Sequence, residues 1–214
     1  MHQNFKMPLL LNYRNNFFYP EVICQFSGEE KNIYITFDDG PTPGITSQVL
    51  ALLFRYQAKA TFFCSGKQVE QNQEIFKEIL SQGHSVGNHS FSHLNGWYTN
   101  NNKYFDDCEK ANALIYSNLF RPPYGKLKPS QYNYLKRLYT IIHWTALSWD
   151  FHPWITPGLC LRIVSKNIRP GAILVFHDTA KAANNLLFVL PRILEIGSQN
   201  GYRFCAIPMD IMNR

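Results

Sequence analysis

Charge is scarce in this chain: 17% of its 214 residues are charged, against roughly a quarter in ordinary soluble proteins. Hydrophobic residues make up 45%, so a sizeable core can be buried, which excludes a disordered or low-complexity chain. Cysteine is sparse and odd in number. Cys24, Cys64, Cys108, Cys160 and Cys205 are widely spaced with no C-x-x-C, which argues against a disulfide framework and a structural zinc knuckle. The longest apolar run, Val49 to Phe54, falls far short of the ~18 residues of a membrane span, so no transmembrane segment is expected. Pro8 to Leu11 is too short for a signal-peptide core, and Asn12, Arg14, Asn15 and Asn16 stand where a small-residue cleavage site belongs; as written the chain reads as cytoplasmic. Neither G-x-G-x-x-G nor G-x-x-x-x-G-K-[ST] occurs, which removes the main support for a dinucleotide or P-loop site.

The net charge of +6 raises the question of an anionic partner. Lys and Arg are scattered, however, and the densest stretch, Arg121 to Arg137, is broken by Pro, Tyr and Leu. That pattern is a solvated face, and no nucleic-acid partner is expected.

Short apolar runs alternate with helical-period stretches. Ile33, Ile35 and Phe37 share one face of a strand over Asn32 to Phe37. Ile45, Val49, Leu52, Leu53 and Tyr56 form a helical stripe. Strands are expected at Ala60 to Cys64, Ser85 to Asn88, Tyr139 to His143, Ala146 to Ser148, Ala172 to Phe176 and Tyr202 to Ala206, and an apolar stretch ends at Arg121. Helices are expected near Gln73 to Gln82, Lys103 to Leu119, Ser130 to Leu138, Pro157 to Ile168 and Asn185 to Ser198, the last started late or kinked by Pro191. This alternation predicts an α/β fold with a parallel sheet, open or closed into a barrel. A full eight-stranded barrel takes ~250 residues, so a closed one here would lack a unit.

Polar clusters recur where strands end: Asp38 and Asp39, His89 and His93, Arg121, Asp150, and His177 with Asp178. In a parallel barrel such positions converge on one rim, where active sites are built. Taken singly, each has a plainer reading. The two Asp can be turn formers before Gly40-Pro41, Arg121-Pro122-Pro123-Tyr124-Gly125 a rigid turn, and His177 a core histidine. Together they point to chemistry. A sharp turn lets both carboxylates reach one site, and His89 and His93, four apart, can share a face of a helical turn and chelate a metal. An Asp with two His and an open position is a catalytic zinc pattern. Arg121 is expected to clamp a carboxylate through a bidentate pair, a backbone N–H of the rigid turn to meet an oxyanion, and His177 to serve as a general acid. His2, His84, His143 and His152 have no such companions and are left as structural or surface residues.

Thr36-Phe37-Asp38-Asp39-Gly40, His89-Ser90-Phe91-Ser92-His93, Arg121-Pro122-Pro123-Tyr124 and Leu174-Val175-Phe176-His177 resemble, in order, the motifs of polysaccharide deacetylases, the NodB-homology domain or carbohydrate esterase family four. The resemblance runs from about Asn32 to the C-terminus. It implies a distorted, incomplete (β/α)7 barrel over residues 32–214, with residues 1–31 as an N-terminal extension packing on it. It also implies a divalent metal, most often zinc with cobalt, nickel or manganese as alternatives, held by Asp39, His89 and His93. Asp38 would be the catalytic base, oriented by Arg121, and His177 the catalytic acid, with Asp150 behind it. The Tyr124 N–H would hold the oxyanion and Val175 would line an acetyl-methyl pocket, with Pro123 and Trp149 also on the substrate side. The fourth motif departs from the family's Asp-x-x-Asp-Trp: Leu147-Ser148-Trp149-Asp150-Phe151 keeps only the second Asp, which puts the substrate-side wall in question. The expected reaction is release of acetate from an amino sugar or N-acetylated polysaccharide. The competing readings are hydrolysis of another amide or cyclic imide or ureide bond, and a non-catalytic glycan-binding module.

Overall fold

A computed structural model describes residues 19–28 and 30–209. Eight strands alternate with seven helices: β1 (Asn32–Asp38), α1 (Ile45–Arg55), β2 (Ala60–Cys64), α2 (Gly66–Gln71), α3 (Gln73–Ser81), β3 (Ser85–Asn88), α4 (Asn101–Ile115), β4 (Leu119–Phe120), α5 (Pro129–Leu135), β5 (Thr140–Ile141), β6 (Ala146–Leu147), α6 (Pro157–Ser165), β7 (Ile173–His177), α7 (Ala183–Gln199) and β8 (Arg203–Phe204). The sheet runs β5-β4-β3-β2-β1-β7-β6, with β8 beside the start of β1. Every paired neighbour is parallel. Among the described residues no pairing joins β5 to β6, so the architecture is the incomplete α/β barrel expected.

Strand alternation builds two apolar layers. Ile33, Ile35 and Phe37 of β1, Ala60 and Phe62 of β2, and Leu174 and Phe176 of β7 face the helices and join Val49, Leu50, Leu53, Leu186 and Leu190 in the main core. The opposite faces point into the barrel, where Phe63, Leu119, Ile142 and Ile173 form a smaller cluster. Thr36 and Asp38 on β1 and Val175 and His177 on β7 share that inner face by the same period of two. The polar residues of the rim are therefore continuations of the barrel interior.

The seam between the sheet's two ends is covered from within the chain. The Ile23 N–H donates to the Ile141 carbonyl at 3.0 Å, and the Ile23 carbonyl accepts from the His143 N–H at 2.8 Å. A few residues on, the Phe26 N–H donates to the Gly171 carbonyl at 2.9 Å, and the Cys24 carbonyl accepts from the Thr145 hydroxyl at 2.8 Å.

Several local expectations are corrected. Helix α4 stops at Ile115 with Tyr116 left-handed, which frees Leu119 and Phe120 to pair as β4. Helix α7 starts at Ala183 and runs through Pro191, so the proline does not start it. The six-residue α2 is too short to show a helical period in the sequence. The signal-peptide reading, His2 and most of the N-terminal extension lie outside the described residues.

Candidate active site

Strands β1, β3, β4, β6 and β7 all end at one pocket of about 900 Å3, bordered by Asp38, Asp39, His89, His93 and His177 among others. The pairing register puts Asp38 beside His177 across β1 and β7. Asp39 follows with a positive φ of 80°. This reverses the chain and brings its carboxylate to the same pocket as Asp38, although the two are consecutive.

His89 and His93 are carried by a loop after β3 rather than by a helical turn, a correction with a local cause. Asn88 Oδ1 accepts the Ser90 N–H at 2.8 Å, Ser90 and His93 take positive φ, and Asp107 Oδ2 on α4 accepts the N–H groups of Phe91 and Ser92, both at 2.9 Å. The two rings still meet, with centroids 5.1 Å apart. His89 Nδ1 lies 2.7 Å from the Arg121 carbonyl. Donation to that carbonyl leaves the Nε2 lone pair facing the pocket. Burial pulls His89 down to about 4, so the imidazole is neutral at neutral pH.

Asp39 Oδ1 lies 3.1 Å from His93 Nε2 and 3.5 Å from His89 Nε2. It is buried, and neither imidazole meets it in hydrogen-bonding alignment. Burial alone would raise the Asp39 carboxyl, but the contact with His93 and the charges of His89 and His177 hold it well below the usual carboxylate range. The three ligand atoms lie within 4.8 Å of one another. An orphaned carboxylate oxygen facing two imidazole nitrogens fits a divalent cation with a taste for mixed N and O donors, zinc foremost.

Arg121 is 0% exposed. It points inward from the end of β4, its guanidinium 4.0 Å over the Phe63 ring. One Nη1 donates both to Asp38 Oδ1 at 2.6 Å and to the Thr36 hydroxyl at 2.7 Å. The remaining donors go elsewhere: Nε to the Ile142 carbonyl at 3.2 Å and Nη2 to the His143 carbonyl at 2.9 Å. The expected bidentate clamp is thus a single-point contact. The reason is the seam, where the backbone between β5 and β6 has carbonyls without a strand partner and Arg121 supplies their donors.

Across the pocket, Asp150 lies buried behind His177, its Oδ1 2.8 Å from His177 Nδ1. Burial would lower the imidazole, but the Asp150 charge and hydrogen bond, followed by the charges of Asp39 and Asp38, raise it to about 9. Asp178, the partner of His177 in its cluster, turns away: it is fully buried and accepts from the Gly40 N–H.

The substrate-side expectations divide. Tyr124 and Trp149 border the pocket, Tyr124 with its ring 4.6 Å from that of His93. Trp149 Nε1 is buried and finds no partner among the described residues. Pro123 is buried within its turn, and Pro122 borders the pocket instead. Val175 is 1% exposed, one layer beneath His177 on the same strand face, while Leu147, its register neighbour on β6, reaches the pocket. Trp144, Phe151, Lys126 and Lys181 also border it and were not singled out. They stand three to six residues past the strand ends, on the loops rather than at the strand termini where the polar clusters mark the rim. His84 accepts the Ala60 N–H and His143 stacks on Trp144, and neither belongs to the ligand cluster.

A carboxylate on a buried arginine, a three-donor cation site and a histidine raised by its own aspartate, gathered at one barrel rim, define a hydrolytic centre for acyl groups. The polysaccharide deacetylase family model matches residues 27–140, more than half of the chain, and the chain belongs to that family. It is a hydrolase that removes N-acetyl groups from amino sugars in polysaccharide. A peptidoglycan-N-acetylglucosamine deacetylase of Bacillus cereus is 34% identical over 196 residues, covering 87% of this chain and 91% of the relative. A crystallised peptidoglycan N-acetylglucosamine deacetylase, solved with an N-oxidanyl-benzamide, superposes with a TM-score of 0.83 at 26% identity, over 88% of this chain and 91% of that one. A family 4 pseudoenzyme from Bacillus anthracis superposes with a TM-score of 0.77 at 25% identity, over 88% of this chain and 68% of that one. A pseudoenzyme shares the fold, so activity resides in the side chains at the rim rather than in the fold.

Proposed function

We propose that this chain deacetylates N-acetylglucosamine units of peptidoglycan, with a divalent metal, zinc foremost, held by Asp39, His89 and His93. The observation that carries the reading is the Asp38–Arg121 pair at 2.6 Å at the same pocket as the three ligands and the His177–Asp150 pair. The relatives named for peptidoglycan support the choice of glycan. When bound, the ion supplies a Lewis acid and lowers the pKa of water to about 7. Asp38, ion-paired with Arg121, accepts the proton of the attacking water. The N–H of Tyr124 meets the oxygen on which charge develops, oriented in advance by the Pro122-Pro123 turn. His177, protonated up to about 9, gives its proton to the departing amine. Leu147, Trp149 and Tyr124 wall the pocket.

The test is acetate release in zinc-supplemented buffer from peptidoglycan, chitooligosaccharides and a cyclic ureide. Acetate from peptidoglycan ahead of chitooligosaccharide is expected. Turnover of the ureide with no acetate from either glycan would overturn the proposal.

A further inference from the structure

The turn that carries Asp39 is held by a residue with no part in the chemistry above. Asp178 is fully buried. Its Oδ1 accepts the Gly40 N–H at 3.1 Å, and its Oδ2 accepts the Thr46 hydroxyl at 2.5 Å. Thr46 Oγ1 in turn accepts the Thr42 N–H at 2.7 Å. Both anchored amides belong to the segment directly after Asp39. A Cβ on Gly40 would stand 2.1 to 2.4 Å from the Asp178 carboxyl atoms, so the carboxyl fills the space a side chain would need. On the other side of the turn, the Asp39 N–H donates to the Phe63 carbonyl at 3.2 Å and the Gly40 carbonyl accepts from the Ser65 N–H at 3.1 Å. Asp39 itself takes a φ of 80°, a conformation an aspartate keeps only where its surroundings over-determine it. Asp178 follows His177, whose register partner is Asp38. One carboxyl group therefore ties the strand end bearing His177 to the turn bearing Asp39.

We propose that Asp178 is a positioning residue which, through Gly40 and Thr46, aims the Asp39 carboxylate at His89 and His93 and so sets the metal affinity of the centre. This rests on the reading of Asp39, His89 and His93 as the ligand set. An apolar side chain could fill the volume of Asp178, but it would leave the buried Gly40 N–H without an acceptor and release the turn.

The experiment is calorimetric titration of the metal-stripped full chain with zinc, alongside far-UV circular dichroism. Asp178→Ala is expected to bind zinc about 10- to 100-fold more weakly, the range for residues behind metal ligands, with its secondary structure intact. Thr46→Val should weaken binding in the same sense, and Thr46→Ser, which restores the hydroxyl, should return parental affinity. A folded Asp178→Ala chain that binds zinc as tightly as the parent overturns the proposal. Should that variant fail to fold, parental affinity in Thr46→Val overturns it instead. His93→Ala separates the two layers: loss of zinc there, with Asp178→Ala unaffected, removes the positioning role alone, whereas parental affinity in His93→Ala removes the ligand set and the positioning role with it.

Discussion

His177 is bound to Asp150 twice: Nδ1 lies 2.8 Å from Oδ1, and the backbone N–H donates to Oδ2 at 2.8 Å. Ring and strand end are locked to one carboxylate, which fixes the tautomer and leaves Nε2 to face the pocket. Against the effect of burial, the same carboxylate, with smaller contributions from the charges of Asp39 and Asp38, raises the imidazole to about 9.

Asp150→Asn is therefore expected to move the alkaline limb of kcat/KM to lower pH by at least ~1 unit, measured between pH 5 and 10. The linked stability has a definite sign. A histidine raised from 6.5 to about 9 adds stability that is complete below pH 6.5 and lost as pH rises through about 9. The substitution should cost on the order of 3 kcal/mol at pH 6 and clearly less at pH 10, read from urea unfolding at both values. An unmoved limb would take the acid role from His177.

Asp38→Asn preserves shape and removes the charge facing Arg121. Turnover should fall by about 100- to 10,000-fold while bound zinc, measured by elemental analysis, stays near one equivalent. The fully buried guanidinium is left without its counter-charge, so unfolding should cost about 3–5 kcal/mol less than in the parent. Retained turnover would reassign the base.

Gly87 touches the chemistry at second hand. A Cβ there would meet the Phe63 ring at 2.4 Å, and that ring lies under the Arg121 guanidinium at 4.0 Å. Gly87→Ala should destabilise by about 1–3 kcal/mol and lower kcat with KM little changed. Gly158→Ala, where nothing lies within 4 Å, is the control and should leave both constants at parental values.

Chelation should abolish acetate release without unfolding the chain, because the apolar layers on both faces of the sheet are built without the ligand residues. Zinc restored at ~1,000 times its dissociation constant should add about 4 kcal/mol to the stability of the stripped protein. Thermal scans with and without zinc measure it.

The period of two in Ile33, Ile35 and Phe37 already separated the two faces of β1, and with them the direction in which Asp38 points. What the pattern left open follows from scale. Strands β4, β5 and β6 have two residues each, too few to show alternation, and they exist because neighbours supply hydrogen bonds. The single-point Arg121 contact depends on carbonyls in the seam, and no local signal announces which carbonyls lack a strand. Val175 and Pro123 lie in recognisable motifs but are buried below the pocket wall, because depth along a strand is set by register rather than by residue type.

The covered seam bears on where this enzyme can be cut. Residues 23–26 grip both ends of the sheet, and through the His143 N–H they steady the same peptide segment whose carbonyls hold Arg121. A fragment trimmed to the matched bounds of 27–140 would lose that brace at one end and Asp150 and His177 at the other. A working minimal enzyme must therefore begin upstream of Ile23, and acetate release from a nested series of N-terminal deletions should collapse once that residue is removed, well before the first recognisable motif is reached.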